Sequence, residues 1–141
     1  MEIVDARLVA ERLGGSDDLW RITVHWTECF TQQEIQAGFE FEDWITFWDW
    51  DDVDHDWILN GPANRFQSTS LKHRWEWPFT IPGENLTTEL GGEQIRAQVF
   101  LRNRTTSSPA VSISTPVLHV SPGENKPLAG CEPPFAQLLS P

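Results

Sequence analysis

The sequence predicts an all-β protein, a single antiparallel β-sandwich of roughly seven strands. Three observations lead there. Apolar and polar residues alternate in short runs along most of the first 120 positions, the pattern of strands with one buried face. Gly, Pro, Asn and Asp punctuate those runs at intervals suited to strand connections. The composition, with eight Trp, eight Phe, no Tyr, ten Pro and nine Gly in 141 residues, favours strands and turns over helices. A chain of this length is expected to bury roughly two-thirds of its unfolded surface around one core.

The elements are read in order. Val4, Ala6, Leu8 and Ala10 alternate with polar neighbours. After Gly14-Gly-Ser-Asp-Asp18, Trp20, Ile22, Val24 and Trp26 do the same, which predicts a hairpin. Thr31-Gln-Gln-Glu34 has capping-box spacing and Gly38 follows, predicting one short helical turn. Residues 39–50 form the third strand. Asn60-Gly-Pro62 reads as a turn, followed by a short piece near residues 65–68. Leu71, His73, Trp75, Trp77 and Phe79 alternate next, and Pro78 assigns that strand to an edge or a bulge. Ile95, Ala97, Val99 and Leu101 mark another strand, and residues 111–120 the last. Residues 1–120 thus make up the sandwich domain. Residues 121–141 form a C-terminal tail with five prolines and no core of its own, whose apolar anchors are Leu128, Phe135 and Leu138-Leu139.

A weak internal repeat refines the architecture. Trp26-x3-Phe30-Thr31, a link to Gly38 and a strand are echoed about fifty residues later by Trp75-x3-Phe79-Thr80, a link to Gly91-Gly92 and a strand. Two such strand–corner–strand units, each placing one strand in each sheet, are what an immunoglobulin-like sandwich requires at its centre. The run Gln94-Ile-Arg-Ala-Gln-Val-Phe-Leu-Arg-Asn103, with its loop Thr105-Thr-Ser-Ser-Pro109 and the closing strand, resembles the last hairpin of a fibronectin type III domain. Ile95 stands where that family usually has Tyr. The resemblance covers under a third of the chain and implies a fold, with no functional residues attached.

The formal charge of −11 is unevenly distributed. Residues 1–60 hold fifteen Asp or Glu against three Arg, whereas residues 61–141 hold six against seven Lys or Arg. With no Lys or Arg between Arg21 and Arg65, this half of the chain would repel a phosphate backbone, so no nucleic-acid partner is expected. No run approaches eighteen apolar residues, and the N-terminus lacks a basic segment followed by an apolar one. A cytoplasmic protein without a signal peptide or membrane span is the expectation. Cys29 and Cys131 match no zinc or redox spacing.

The most biased segment is residues 39–57, FEFEDWITFWDWDDVDHDW, with four Trp and eight carboxylates in nineteen residues. On a strand, Phe39, Phe41, Ile45 and Phe47 make the better core face. Glu40, Glu42, Trp44, Thr46, Trp48 and Trp50 are sent outward. Paired with the strand of Ile95 to Leu101, whose outward residues are Arg96, Gln98, Phe100 and Arg102, they would form an aromatic, arginine-bearing surface. Trp and Arg are enriched in binding hot spots, so Trp44, Trp48, Trp50, Arg96, Phe100 and Arg102 are the candidate partner-binding residues, with Leu128, Phe135 and Leu138 of the tail.

The acidic half of the segment reads as a carboxylate-dense turn. Asp49, Asp51, Asp52, Asp54 and Asp56 invite a calcium reading, since Ca²⁺ takes six to eight oxygens. The spacing departs from an EF-hand: counting from Asp52, Trp57 stands where Gly is needed and Ala63 where a bidentate Glu is needed. No cofactor is therefore expected, with a calcium-assisted carbohydrate- or lipid-headgroup-binding module as the alternative. His25, His55, His73 and His119 lie at no ligand spacing, and no Ser or Cys stands in a nucleophile motif, so no enzyme is expected. The functional expectation is a non-catalytic interaction or assembly module, binding a protein partner or a second copy.

Overall fold

The computed structural model describes residues 1–16, 18–50, 55–83 and 93–120, with the backbone alone described at residues 49, 50, 55, 56, 93 and 120. Eight strands and one short helix follow in the order β1 (Glu2–Gly14), β2 (Leu19–Cys29), α1 (Gln32–Gln36), β3 (Glu40–Trp50), β4 (His55–Gln67), β5 (Lys72–Pro82), β6 (Glu93–Asn103), β7 (Val111–Ser114) and β8 (Leu118–Val120). They form two antiparallel sheets, one ordered β1-β2-β5 and the other β4-β3-β6-β7, with β8 also pairing β6. The predicted all-β sandwich is what the chain forms. Its links β2 to β3 and β5 to β6 each cross between the sheets, as the repeat required.

Local chemistry explains the connections. Gly14 and Gly15 take φ of 83° and 86°, left-handed values that a side chain would resist, and turn β1 into β2. Thr31 accepts from the Glu34 N–H at 3.1 Å while Glu34 accepts from the Thr31 N–H at 2.9 Å, the reciprocal capping box that the spacing predicted. Burial would push the Glu34 carboxyl up, but its bonds to Thr31 and to the N-terminal ammonium hold it below the ordinary value. Gly38, at φ 68°, ends the turn and admits the chain to β3.

Four readings of the sequence change. In β1, Asp5 adopts φ 58° within a bulge between Val4 and Arg7, which shifts the alternation by one residue, so Ile3 rather than Val4 is buried. The turn read at Asn60-Gly-Pro62 lies inside a thirteen-residue strand. β4 is an edge strand, and the register shift opposite Trp44 and Thr46 absorbs Pro62 without loss of a central ladder bond. The last strand is two strands, because residues 115–117 leave the ladder. The Ala97 N–H donates to Thr115 Oγ1 at 3.1 Å, and the Thr115 N–H returns a bond to the Ala97 carbonyl at 2.9 Å. The core face of β3 also holds a carboxylate, Asp43, only 1 % exposed among Phe41, Ile45 and Phe47. Pro78 falls on the edge strand β5, as expected.

The core fills the space between the sheets with Ile22, Val24 and Trp26 of β2, Phe41, Ile45 and Phe47 of β3, and Ile95, Ala97, Val99 and Leu101 of β6. Phe30 packs on Phe41 with ring centroids 4.6 Å apart, and Phe47 meets Phe79 edge-on at 4.8 Å. Gly61 sits where the edges of the two sheets approach. A Cβ there would lie 2.8 Å from the Trp77 ring and 3.1 Å from Ile45. Gly61→Ala is expected to destabilise the fold by about 1–3 kcal/mol through overpacking, measurable as a shift in the urea midpoint. An unchanged midpoint would show that Trp77 swings aside freely.

Inside this core lies an acid pair. Glu28, fully buried, accepts from the indole N–H of Trp26 and of Trp75, each at 3.0 Å. Burial, and then the hydrogen bond and charge of Asp43, push its carboxyl up to about 9, so it keeps its proton at neutral pH. The Asp43 side chain hydrogen-bonds Glu28, and its Oδ1 also accepts from Asn64 at 3.1 Å. The pair joins β2 of one sheet to β3 of the other.

Candidate functional site

The outer face of the larger sheet is built by the pairing of β3 with β6. Their register sets Trp44 opposite Phe100, Glu42 opposite Arg102 and Trp48 opposite Arg96. Because alternate residues of β3 and β6 enter the core, these partners share the outward side. Trp44 and Phe100 stack nearly parallel, 5° between planes and 5.2 Å between centroids. The Arg102 guanidinium lies over the Trp44 ring at 5.8 Å, a cation–π contact. Trp44, Trp48, Phe100, Arg96 and Arg102 are all half-buried, each covered on one side by its neighbours and open on the other.

Glu42 organises the basic side chains. Arg102 Nη2 donates to it at 2.6 Å, Arg104 Nη1 at 3.5 Å, and Arg65 Nε lies 3.8 Å away. Arg104 also pairs with Glu40 at 3.4 Å. The Arg102 hydrogen bond, followed by the charges of Arg102, Arg104 and Arg65, keeps the Glu42 carboxyl below its ordinary range. Beside this cluster a hollow of about 500 Å³ opens between Trp44, Arg102, Arg104 and the β6–β7 loop at Ser107 to Ala110. Ser107, at φ 57°, shapes that loop.

Further along, Trp48 donates its indole N–H to Thr46 Oγ1 at 2.9 Å. Trp57 stands opposite Trp48 in the β3–β4 register and donates to Asn60 Oδ1 at 2.9 Å, with 55 % of its surface exposed. Sequence reasoning left Trp57 out of the site.

Of the sequence-derived candidates, the structure brings Trp44, Trp48, Arg96, Phe100 and Arg102 onto one surface. Trp50 pairs with His55, and Asp49 with Asp56, in the backbone ladder. The side chains of Trp50, Asp49 and Asp56, the residues Asp51, Asp52 and Asp54, and the tail anchors Leu128, Phe135 and Leu138 lie outside the described residues. Among the described residues, no group of three or more His, Cys, Asp or Glu is placed to hold a metal ion, and no helix is long and apolar enough to cross a membrane. Compared with protein-family models, curated proteins and solved structures, the chain matches none.

Proposed function

We propose that the protein is a non-catalytic interaction module that docks a protein partner on the outer face of the larger sheet, with the tail at residues 121–141 as a second point of attachment. The observation that carries this reading is the Trp44–Phe100 stack under Arg102, a rigid aromatic platform held at the surface of two central strands. Trp48 and Trp57 extend it, and half of the eight arginines in this acidic chain, Arg65, Arg96, Arg102 and Arg104, collect around it. Aromatic anchors lose little side-chain entropy on binding, and arginine forks recognise carboxylates in two-point contacts. The partner is accordingly a protein segment presenting an apolar or aromatic side chain next to Asp or Glu.

The test is a displayed random-peptide selection on the full chain, counter-selected on the Trp44→Ala/Trp48→Ala variant. Enrichment of sequences combining an aromatic or aliphatic residue with carboxylates, binding the wild type at least about tenfold more tightly than the variant, is the expected result. Peptides that bind both proteins equally would sink the proposal. Sedimentation of the full chain and of a truncation after Val120 tests the tail. If both are monomers of equal stability, and the selected peptides bind both alike, the tail has no part in docking.

A further inference from the structure

The chain has eight arginines and twenty-one carboxylates, so pairing partners are plentiful. Arg12 pairs with Asp18, Arg21 with Glu11, and Arg65, Arg102 and Arg104 with Glu42; Arg96 is also engaged. Among the described residues, Arg7 and Arg74 have no carboxylate partner. They line the same cleft.

That cleft, about 470 Å³, opens on the smaller sheet, away from the aromatic face, and is bounded by Asp5, Ala6, Arg7, His25, Trp26, Thr27, Arg74, Trp75 and Pro116. Its construction follows from the register. Arg7 is opposite His25, and Thr27 is opposite Arg74, so outward residues of β1, β2 and β5 place the two guanidinium groups on either side of the central strand. Thr27 is buried between them at 8 % exposure. The Arg7 Nε is shut off from solvent and has no hydrogen-bond acceptor among the described residues.

Arg7 also stands beside His25. Burial first and the Arg7 charge second hold that imidazole below its ordinary value, while Glu76, 3.8 Å away, pulls the other way. A secluded guanidinium nitrogen without an acceptor is a cost that folded chains normally avoid. An oxyanion in the cleft would supply the missing acceptor and separate the positive charges. Asp5, turned outward by the β1 bulge, lies on the same rim. It disfavours a second negative charge there and so favours a compact anion over an extended polyanion.

We propose that this cleft binds a compact oxyanion, a phosphate or a carboxylate, between the guanidinium groups of Arg7 and Arg74. The site is independent of the partner-docking face.

The experiment follows the arginine Nε–H and backbone amide resonances of the full chain during titration with phenyl phosphate and, separately, benzoate, at constant ionic strength set by chloride. Saturable shifts at Arg7, Arg74 and Thr27 in either arm support the site, and the arm with the tighter midpoint identifies the headgroup. In the Arg7→Gln/Arg74→Gln variant the midpoint weakens by at least about tenfold, the loss of two charge-assisted hydrogen bonds. Arg21→Gln, a paired arginine elsewhere on the same sheet, leaves it unchanged. Linear, unsaturable shifts in both arms, or equal midpoints in wild type and double variant, would overturn the inference. The near-ultraviolet circular dichroism of each variant confirms its fold.

Discussion

Replacing Glu28 by alanine is expected to lower stability by about 3–6 kcal/mol, because it leaves two indole donors and the Asp43 carboxyl in the core without their partner at once. Trp26 and Trp75 both donate to Glu28, and Asp43 hydrogen-bonds it. The conservative Glu28→Gln is the more informative variant. Its amide can donate to Asp43 and its carbonyl can accept one indole, but the second indole loses its acceptor, at about 1–2 kcal/mol.

The pH dependence separates the two proteins. The folded carboxyl of Glu28 sits at about 9 against an ordinary value of 4.5. The native state therefore holds a proton that the unfolded chain gives up through most of the intervening range. The contribution of Glu28 to stability is fully present below pH 4.5 and is lost as the pH rises towards 9, with a limiting slope of about 1.4 kcal/mol per unit. Glu42 works in the opposite sense. Its depressed value means that its contribution is present above its ordinary value and disappears on acidification. Thermal melts from pH 5 to 10 should show the wild type losing stability towards alkaline pH and Glu28→Gln losing less, so the gap between them narrows. Parallel curves would mean that Glu28 is ionised in the fold.

The second large effect is a contrast between neighbours on β3. Phe47 is fully buried and meets Phe79 edge-on, whereas Trp44 and Trp48 on the same strand face outward. Phe47→Ala should cost about 3–5 kcal/mol, a transfer and cavity effect that the packed sheets cannot relieve. Trp44→Ala removes one half of a surface stack and should cost no more than about 1.5 kcal/mol, while weakening binding of the selected peptides at least about tenfold. Urea titration and peptide affinity together decide it. Comparable stability losses at positions 44 and 47 would place both faces of β3 in the core and remove the basis of the docking surface.

How much of this was legible depended on the length scale of the signal. Strand alternation is local, so which residues of β3 and of β6 share a face could be read from residues two apart, while the meeting of Trp44 with Phe100 and Arg102 rested on an immunoglobulin-like pairing of the two strands, and the choice of buried face was left to the structure. The capping box of α1 was equally plain, because all its partners lie within four residues. Breaks in alternation were harder. The bulge at Asp5 moves one residue and reverses which neighbours are buried, yet nothing in the composition of Val4-Asp5-Ala6-Arg7 announces it. Gly61-Pro62 looked like a turn, since the tolerance of an edge strand for proline depends on where the strand lies in the sheet.

Asp43 and Glu28 illustrate the limit most clearly. Each reads along the chain as an ordinary charge in an acidic protein, and neither stands at a spacing that suggests a site. Only the crossing of β2 and β3 between two sheets brings them together, and only burial converts a carboxylate into a retained acid. The cleft at Arg7 and Arg74 has the same origin, since it joins residues sixty-seven positions apart through a shared neighbour on β2.

From the residues alone came the sheet class and most of the strands, because those follow from a two-residue period and from hydrophobic burial, whereas the structure decided that Trp44 and Trp48 face outward. Tertiary structure decided which acid is protonated and which arginines have no carboxylate partner among the described residues. Those properties depend on the dielectric and the charges around a group, and its surroundings are supplied by distant parts of the chain.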